Sequence, residues 1–252
     1  MKIIQISDLH IKKSPNSFHY GIDPRNGFEL TLKSILNSKI DFNSFFLTGD
    51  ISDDGSIESY DYVLNLLEKF NKKIYFINGN HDSKNNLISA FSKSKYFVPL
   101  NELILDNWLF IGLDSCLEGK DFGFLSDSQI QKFENIINKY KEKKFNIGAV
   151  VHHHPIFVGT PLIDDCPILN ASKWIDYIKT NNQIKLIITG HVHNHYSIEI
   201  GENTKLETGF SSFALFKKGG SNENEDIIKS YGYKIYEFLN DSYKTSEVLL
   251  IE

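Results

Sequence analysis

Residues 44–53 read Ser-Phe-Phe-Leu-Thr-Gly-Asp-Ile-Ser-Asp. A short run with a Phe-Phe-Leu centre, ended by a glycine, suits a strand buried on both faces of a sheet. Gly49 allows the sharp turn that lifts Asp50 off the sheet edge. The same arrangement recurs along the chain. Ile3–Ser7 runs into Asp8-Leu9-His10, and Lys73–Asn78 into Gly79-Asn80-His81-Asp82. Asn146–Val151 runs into His152-His153-His154-Pro155, and Lys185–Thr189 into Gly190-His191-Val192-His193. In open α/β sheets the loops after the strands share one crevice. The five clusters are therefore expected to converge.

Working outward, Leu103–Leu105 and Trp108–Leu113 are further strand candidates, and helix-like segments lie between the strands. Phe28–Leu36 and Tyr60–Phe70 carry apolar residues at helical spacing, the latter with Tyr60, Val63, Leu64, Leu67 and Phe70 on one face. Ser126-Asp127-Ser128-Gln129 has the form of a capping box for a helix reaching about Tyr140. Asn170 or Ser172 could cap another that turns Trp174, Ile175 and Ile178 inward. After His195 the pattern changes to alternating strands, Tyr196–Ile200, Lys205–Thr208, Tyr233–Phe238 and Thr245–Ile251, expected to be half exposed. Lys217–Ser230 interrupts them and reads as a mobile surface loop. The expected fold is a four-layer α/β/β/α sandwich: two mixed sheets face to face, helices outside. Residues 1–252 form one domain, with 196–252 completing the second sheet.

The bulk composition narrows the function classes. The 252 residues carry a net charge of −5, which disfavours nucleic acid or an anionic membrane as the main partner. No apolar window is long enough to span a bilayer, and the N-terminal residues have no secretory pattern. Cys116 and Cys166 are the two cysteines, expected to be small buried hydrophobes in a reducing cytoplasm.

The clusters suggest metal chemistry. Residues two apart on an extended chain point the same way, so Asp8 and His10 could grip one cation, and His191 and His193 another. Imidazole, carboxylate and carboxamide without thiolate suit Mn, Fe, Zn or Co and disfavour calcium. The donors are too many for one ion. Two divalent ions about 3.5–4 Å apart need a bridging carboxylate, and Asp50, whose strand is expected beside the first strand, is the candidate.

The order D-x-H, GD-x-x-D, GNH-D, H-x-P, GH-x-H resembles the calcineurin-like metallophosphoesterase superfamily. Further features are similar to bacterial class III 3′,5′-cyclic-AMP phosphodiesterases: Tyr20-Gly21-Ile22-Asp23, Leu113-Asp114-Ser115, Gly123-Phe124-Leu125-Ser126, the triple histidine and Phe216-Lys217. The resemblance implies that Asp8, His10 and His193 hold one ion, that Asn80, His153 and His191 hold the other, and that Asp50 bridges. His153 is selected as the histidine two before Pro155, with His152 and His154 flanking it. His81 would act as general acid oriented by Asp53, with Asp54 as the fallback. Substrate would meet His10, Asp50, Asn80, His81 and His193. His19 and His195 have no matching position and are read as ordinary loop histidines, while Asp82 and Asp114 brace turns.

The implied chemistry is in-line attack on a small phosphodiester by hydroxide shared between the ions, with His81 protonating the departing alkoxide. The substrate implied is 3′,5′-cyclic AMP, giving 5′-AMP. Alternatives are a 2′,3′-cyclic nucleotide, a UDP-linked pyrophosphate or a phosphomonoester. His81 stands where the UDP-linked lipid enzymes are expected to carry arginine. A non-catalytic scaffold is disfavoured because every motif position is intact. Base recognition is expected from 17–26 and 159–170, and the chain is expected to be a monomer or homodimer.

Overall fold

The structure is a computed structural model that describes residues 1–251. The first sheet contains β1 (Lys2–Ile6), β2 (Ser44–Thr48), β3 (Lys73–Ile77), β4 (Phe97–Pro99), β13 (Ser230–Phe238) and β14 (Tyr243–Ile251), in the order β14-β13-β1-β2-β3-β4. The second contains β5 (Glu102–Leu105), β6 (Trp108–Gly112), β7 (Asn146–Val150), β8 (Ile184–Thr189), β9 (Ser197–Ile200) and β10 (Thr204–Thr208), in the order β5-β6-β7-β8-β10-β9. Both are mixed: β1, β2, β3 and β4 run parallel, as do β6, β7, β8 and β10, with antiparallel strands at the edges. A small ribbon pairs β11 (Leu215–Phe216) with β12 (Ile227–Ile228).

Helices α1 (Pro24–Ser38), α2 (Ile57–Leu67) and α3 (Lys84–Phe91) cover the outer face of the first sheet, burying Phe28, Leu32, Tyr60, Val63, Leu67 and Phe91 there. Helices α4 (Asp127–Lys139) and α6 (Ser172–Thr180) cover the second with Phe133, Ile137, Trp174, Ile175 and Ile178. A short α5 (Pro161–Asp164) lies before α6. Between the sheets sits a third apolar layer in which Phe46, Phe110, Trp108, Tyr236 and Phe238 meet. This is the expected four-layer α/β/β/α sandwich.

Local chemistry explains the helix starts. Ser126 accepts from the Gln129 amide and Ser56 from that of Ser59, satisfying donors that the first turn leaves orphaned. Asp23 does the same for Arg25, one turn before the expected start at Phe28, because Pro24 suits the first helical position. Helix α6 has no side-chain cap. Asn170, a candidate for that role, instead binds the backbone of Leu125 through both ends of its amide.

The C-terminal strands depart from expectation. β9 and β10 join the second sheet, but β13 and β14 extend the first, β13 pairing antiparallel with β1. With β1 on one side, β14 on the other and apolar layers on both faces, Tyr233–Phe238 is mostly buried. Alternation in the sequence therefore does not mean exposure here: Lys234 is fully buried and ion-paired with Glu207. Cys116 and Cys166 are free and only half-buried.

Phe110 stacks edge-on against Phe46 and Phe238 in the middle layer. Phe110→Ala is expected to lower unfolding free energy by about 3–5 kcal/mol through lost burial and a residual cavity. Urea unfolding followed by far-UV circular dichroism reads this, and a loss below about 1 kcal/mol would show that the layer collapses freely.

Candidate metal centre

The central parallel strands of both sheets end at the same edge. The β1 extension runs beside the loop after β2: the amides of Leu9 and His10 donate to the Asp50 carbonyl, at 2.8 and 3.0 Å. Gly190 of the second sheet abuts Thr48 and Ser7 of the first, so closely that a Cβ there would sit 2.6 Å from the Thr48 carbonyl oxygen. The two sheets thus bring their motif loops together.

The backbone explanation for this convergence differs from the one expected. Asp8, His10, Asp50, His191 and His193 are not extended; all have positive φ, between 47° and 67°. Non-glycine residues rarely adopt this left-handed region, and such strain gathers at functional sites. Gly49 has φ 92°, as its turn requires. Gly79 is needed for space instead, since a Cβ would lie 2.1 Å from Asp50 Oδ1. Asp82 braces the strained turn, its carboxylate accepting from the amides of Ile51, Ser52 and Gly79 and from the Tyr60 hydroxyl. Asp114 likewise accepts from Asn78 and the Cys116 amide.

Three groups of ligand-type atoms follow, each with mutual distances within 4.8 Å: Asp8, His10 and His193; Asp8, Asp50 and His152; and His152, His153 and His191. Asp50 Oδ2 lies 3.6 Å from His10 Nε2 on one side and 3.3 Å from His152 Nε2 on the other, which puts this carboxylate between the two halves. Its other oxygen accepts from the His81 amide. Asn80 Oδ1 is 3.1 Å from His152 Nε2.

The hydrogen bonds decide which nitrogen of each ring carries its proton, because a carbonyl or carboxylate can only accept. His10 Nδ1 donates to Asp53 and His193 Nδ1 to the Ala214 carbonyl, so their Nε2 lone pairs face one another at 3.1 Å. His152 Nδ1 donates to the Thr48 carbonyl, so its Nε2 faces two further acceptors, Asn80 Oδ1 and Asp50 Oδ2, a place that only a proton or a cation can fill; burial lowers the ring, but the charge of Asp50 and a hydrogen bond to it raise it to about 9. His191 Nε2 donates to the Cys166 carbonyl, leaving Nδ1 as the lone-pair atom. Asp8 Oδ2 is buried with no hydrogen-bond partner. Lone pairs aimed at lone pairs in a water-excluded space call for positive charge between them. The donor set fits a pair of divalent cations.

The same bookkeeping separates two neighbouring histidines of that third group. His153 lies beside this group, but both its nitrogens are used: Nε2 donates to the Asp121 carbonyl and Nδ1 accepts from the Ser115 hydroxyl. The first of the three histidines, His152, turns Nε2 to Asp50 and Asn80. His154 is turned away, stacked behind His191 with Nε2 3.4 Å from Asp164.

The charges respond to burial and to each other. Asp50 is held well below the usual carboxylate range: burial pushes it up, but His152 and His10 outweigh this. Asp8 rises to about 6, chiefly through burial, with the charge of Asp50 adding to it. Burial drives His191 and His193 well below the ordinary imidazole value, keeping them neutral as ligands must be. His81 goes the other way. Burial lowers it, but a hydrogen bond to Asp53 and the charges of Asp50 and Asp53 raise it to about 9.

Asp53 Oδ1 lies 3.0 Å from His10 Nδ1 and 3.3 Å from His81 Nδ1, and Lys12 Nζ lies 3.0 Å from Oδ2. Asp54, the fallback, instead accepts from the Lys13 and Ser56 amides. Over these groups opens a cleft of about 260 Å³, lined at its base by His10, Asp50, Asn80, His81, His191 and His193.

The rest of its lining comes from the two segments expected to meet a base, 17–26 through His19 and Tyr20 and 159–170 through Leu162, Ile163 and Cys166, with Phe216 and with Asp121 and Glu223, which the sequence did not single out. His19 lies parallel to His10 at 6.0 Å and belongs to the cleft, contrary to its reading as an ordinary loop histidine. The Tyr20-Gly21 pair beside it was the available signal. His195 stays outside, against Lys234 and Glu247. Lys217–Ser230, expected as a mobile surface loop, contains β12 and is tied to the cleft wall: the Leu162 amide donates to the Gly220 carbonyl and the Gly219 amide to Thr160.

A fold of this kind with a buried acid–imidazole cluster at its strand ends defines a dimetal phosphoesterase scaffold. The chain belongs to the calcineurin-like phosphoesterase family, which residues 1–195 match. It is 28% identical over 250 residues to a probable cyclic nucleotide phosphodiesterase of Xenorhabdus bovienii, covering 98% of this chain and 99% of that one. It is 25% identical over 248 residues to the 3′,5′-cyclic adenosine monophosphate phosphodiesterase of Escherichia coli, covering 98% and 89%. A dimetal phosphatase from Danio rerio shares the fold with a TM-score of 0.69 at 13% identity, over 99% of this chain and 98% of that one.

Gly79→Ala forces a methyl group onto Asp50 and is expected to cost about 1–3 kcal/mol of stability and to displace that carboxylate. Thermal unfolding together with bound-manganese stoichiometry checks this; wild-type values for both would refute the packing argument.

Proposed function

We propose that the protein is a two-metal phosphodiesterase acting on a small diester, with 3′,5′-cyclic AMP as the leading substrate and 5′-AMP as product. The observation that carries this reading is the set of lone pairs converging on Asp50, which call for positive charge on both of its flanks. Asp8, His10 and His193 would hold one ion, and Asn80, His152 and His191 the other, with Asp50 shared. His152 thus takes the role first given to His153. When bound, the ions supply Lewis-acid stabilisation of the phosphoryl oxygens and lower the pKa of water; manganese, iron, zinc and cobalt all suit these donors.

The protein's own contribution is positioning. His10 and His193 are fixed through their far nitrogens by Asp53 and the Ala214 carbonyl, and His152 by the Thr48 carbonyl. Such outer contacts set ring orientation and tautomer. His81 turns Nδ1 to Asp53, so Nε2 is the atom that carries a proton to the departing oxygen. Substrate would rest against His10, Asp50, Asn80, His81 and His193 at the base of the cleft. The cyclic-nucleotide assignment is supported by the bacterial relatives, a probable cyclic nucleotide phosphodiesterase and a 3′,5′-cyclic adenosine monophosphate phosphodiesterase, which align with nearly the whole chain.

A substrate panel with manganese tests the reading. Cyclic nucleotides should be hydrolysed in preference to phosphomonoesters, nucleoside diphosphate conjugates and single-stranded DNA; a preference for monoesters would end it. His81→Ala is expected to lower turnover about 10²–10⁴-fold while metal analysis still finds both ions.

The ligand assignment has its own contrast. Asp50→Ala should lose both ions and His152→Ala one, whereas His153→Ala should retain the pair. Elemental analysis of the three purified variants decides it, and an ion lost from the His153 variant alone would restore the original assignment.

A further inference from the structure

The upper part of the cleft has a charge pattern that its base does not explain. Two carboxylates stand on its walls: Asp121, from the segment after β6, and Glu223, from the loop between β11 and β12. Among the described residues, no lysine or arginine lines this cleft. The backbone that carries each carboxylate is anchored. The Asp121 carbonyl receives the His153 Nε2 proton. The Glu223 loop is anchored through Gly219 and Gly220 to Thr160 and Leu162, and the Asp226 carboxylate closes it by accepting from the amides of Ser221 and Asn222.

Across from them stands Tyr20, at the tip of a two-residue turn in which His19 and Ile22 exchange backbone hydrogen bonds at 2.9 and 2.8 Å. Tyr20 has φ 48° and Gly21 φ 72°. A tyrosine in the left-handed region is an outlier of the kind that persists where surrounding structure enforces it. The turn sets the phenol edge-on to His19, with ring centroids 4.3 Å apart, at the mouth of the cleft. Burial, and then the charge of Glu223, raises the Tyr20 phenol, so it remains a neutral donor. Phe216, stacked on His193 at 4.3 Å, adds a second aromatic face.

In a linear diester one alcohol leaves and the other stays, and in a cyclic one the nucleoside stays attached through its second ester oxygen, so a substrate whose phosphorus lies at the base must extend the retained substituent along these walls. We propose that Asp121 and Glu223, facing the aromatic ring of Tyr20, sort phosphodiesters by the charge of their second substituent, admitting neutral or cationic groups and rejecting anionic ones. This deepens the phosphodiesterase reading and rests on it. The physical basis is Coulombic attraction or repulsion from two carboxylates on an anchored backbone, supplemented for a cation by the aromatic faces. Because both carboxylates are solvent-exposed, the effect is moderate and screened by salt.

The test uses three p-nitrophenyl phosphodiesters that differ only in the second alcohol: choline, ethanol and 3-hydroxypropionate. With the manganese-loaded protein at low salt, kcat/KM for the choline ester should exceed that for the carboxylate ester by roughly fivefold to twentyfold. The ratio should shrink in 0.5 M salt by about the screening expected at a Debye length of roughly 4 Å. It should fall toward unity in Asp121→Asn/Glu223→Gln and reverse in Asp121→Asn/Glu223→Lys. Calorimetric dissociation constants of the matching nonhydrolysable methylphosphonates should follow the same order. A wild-type ratio near unity, or one that the double substitution leaves in place, overturns the proposal while leaving the phosphodiesterase reading intact. Failure to hydrolyse any of the three esters would overturn both.

Discussion

At the edge where the two sheets meet, acceptors are aimed at acceptors. His10 and His193 face each other through unprotonated nitrogens, and Asp50 and Asn80 both face Nε2 of His152. Asp8 and Asp50 are almost fully buried among them. Buried carboxylates with unpaired oxygens cost several kcal/mol each, and no apolar packing nearby relieves that cost. The arrangement is favourable only with positive charge inside it. Every other feature of this edge follows from having to hold these groups still against their mutual repulsion.

The holding is done from behind. The second nitrogens of His10, His152, His191 and His193 are each tied to a carboxylate or carbonyl that belongs to the scaffold. Five of the cluster residues are kept in the left-handed region, where a single residue costs of order 1–3 kcal/mol. Asp82 supports the Asp50 turn with three backbone hydrogen bonds, and glycines at 49 and 79 provide room that a methyl group would fill. The aromatic layer between the sheets sets the spacing that lets loops from both sheets reach one centre. The chain thus concentrates strain at one edge and relies on an extensive apolar interior to keep it there.

The walls above this centre are less constrained. They come from the Tyr20 turn, the segment near Asp121, the 157–166 loop and the ribbon loop carrying Glu223, all outside the main sheets. Loops positioned by a rigid scaffold are where binding preference changes most readily without cost to the fold. Chemistry at the base and choice of substrate at the rim can accordingly vary independently in this architecture.

Much was legible from residue order alone. Buried parallel strands announce themselves as apolar runs, so Ser44–Thr48 was bounded correctly and most others to within one or two residues. Acid and imidazole clusters placed after those runs pointed to one converging site, and the structure brings them together in groups that could hold metal ions. What only the tertiary structure decided was orientation and partnership. The sequence cannot say that His153 spends both nitrogens on Ser115 and Asp121 while His152 turns Nε2 to the cluster. Nor can it say that β13 inserts beside β1, or that His19, Tyr20 and Glu223 meet above the site. Periodicity reports whether a residue is buried locally; which atoms face one another depends on long-range pairing, and that is encoded only in the packed whole.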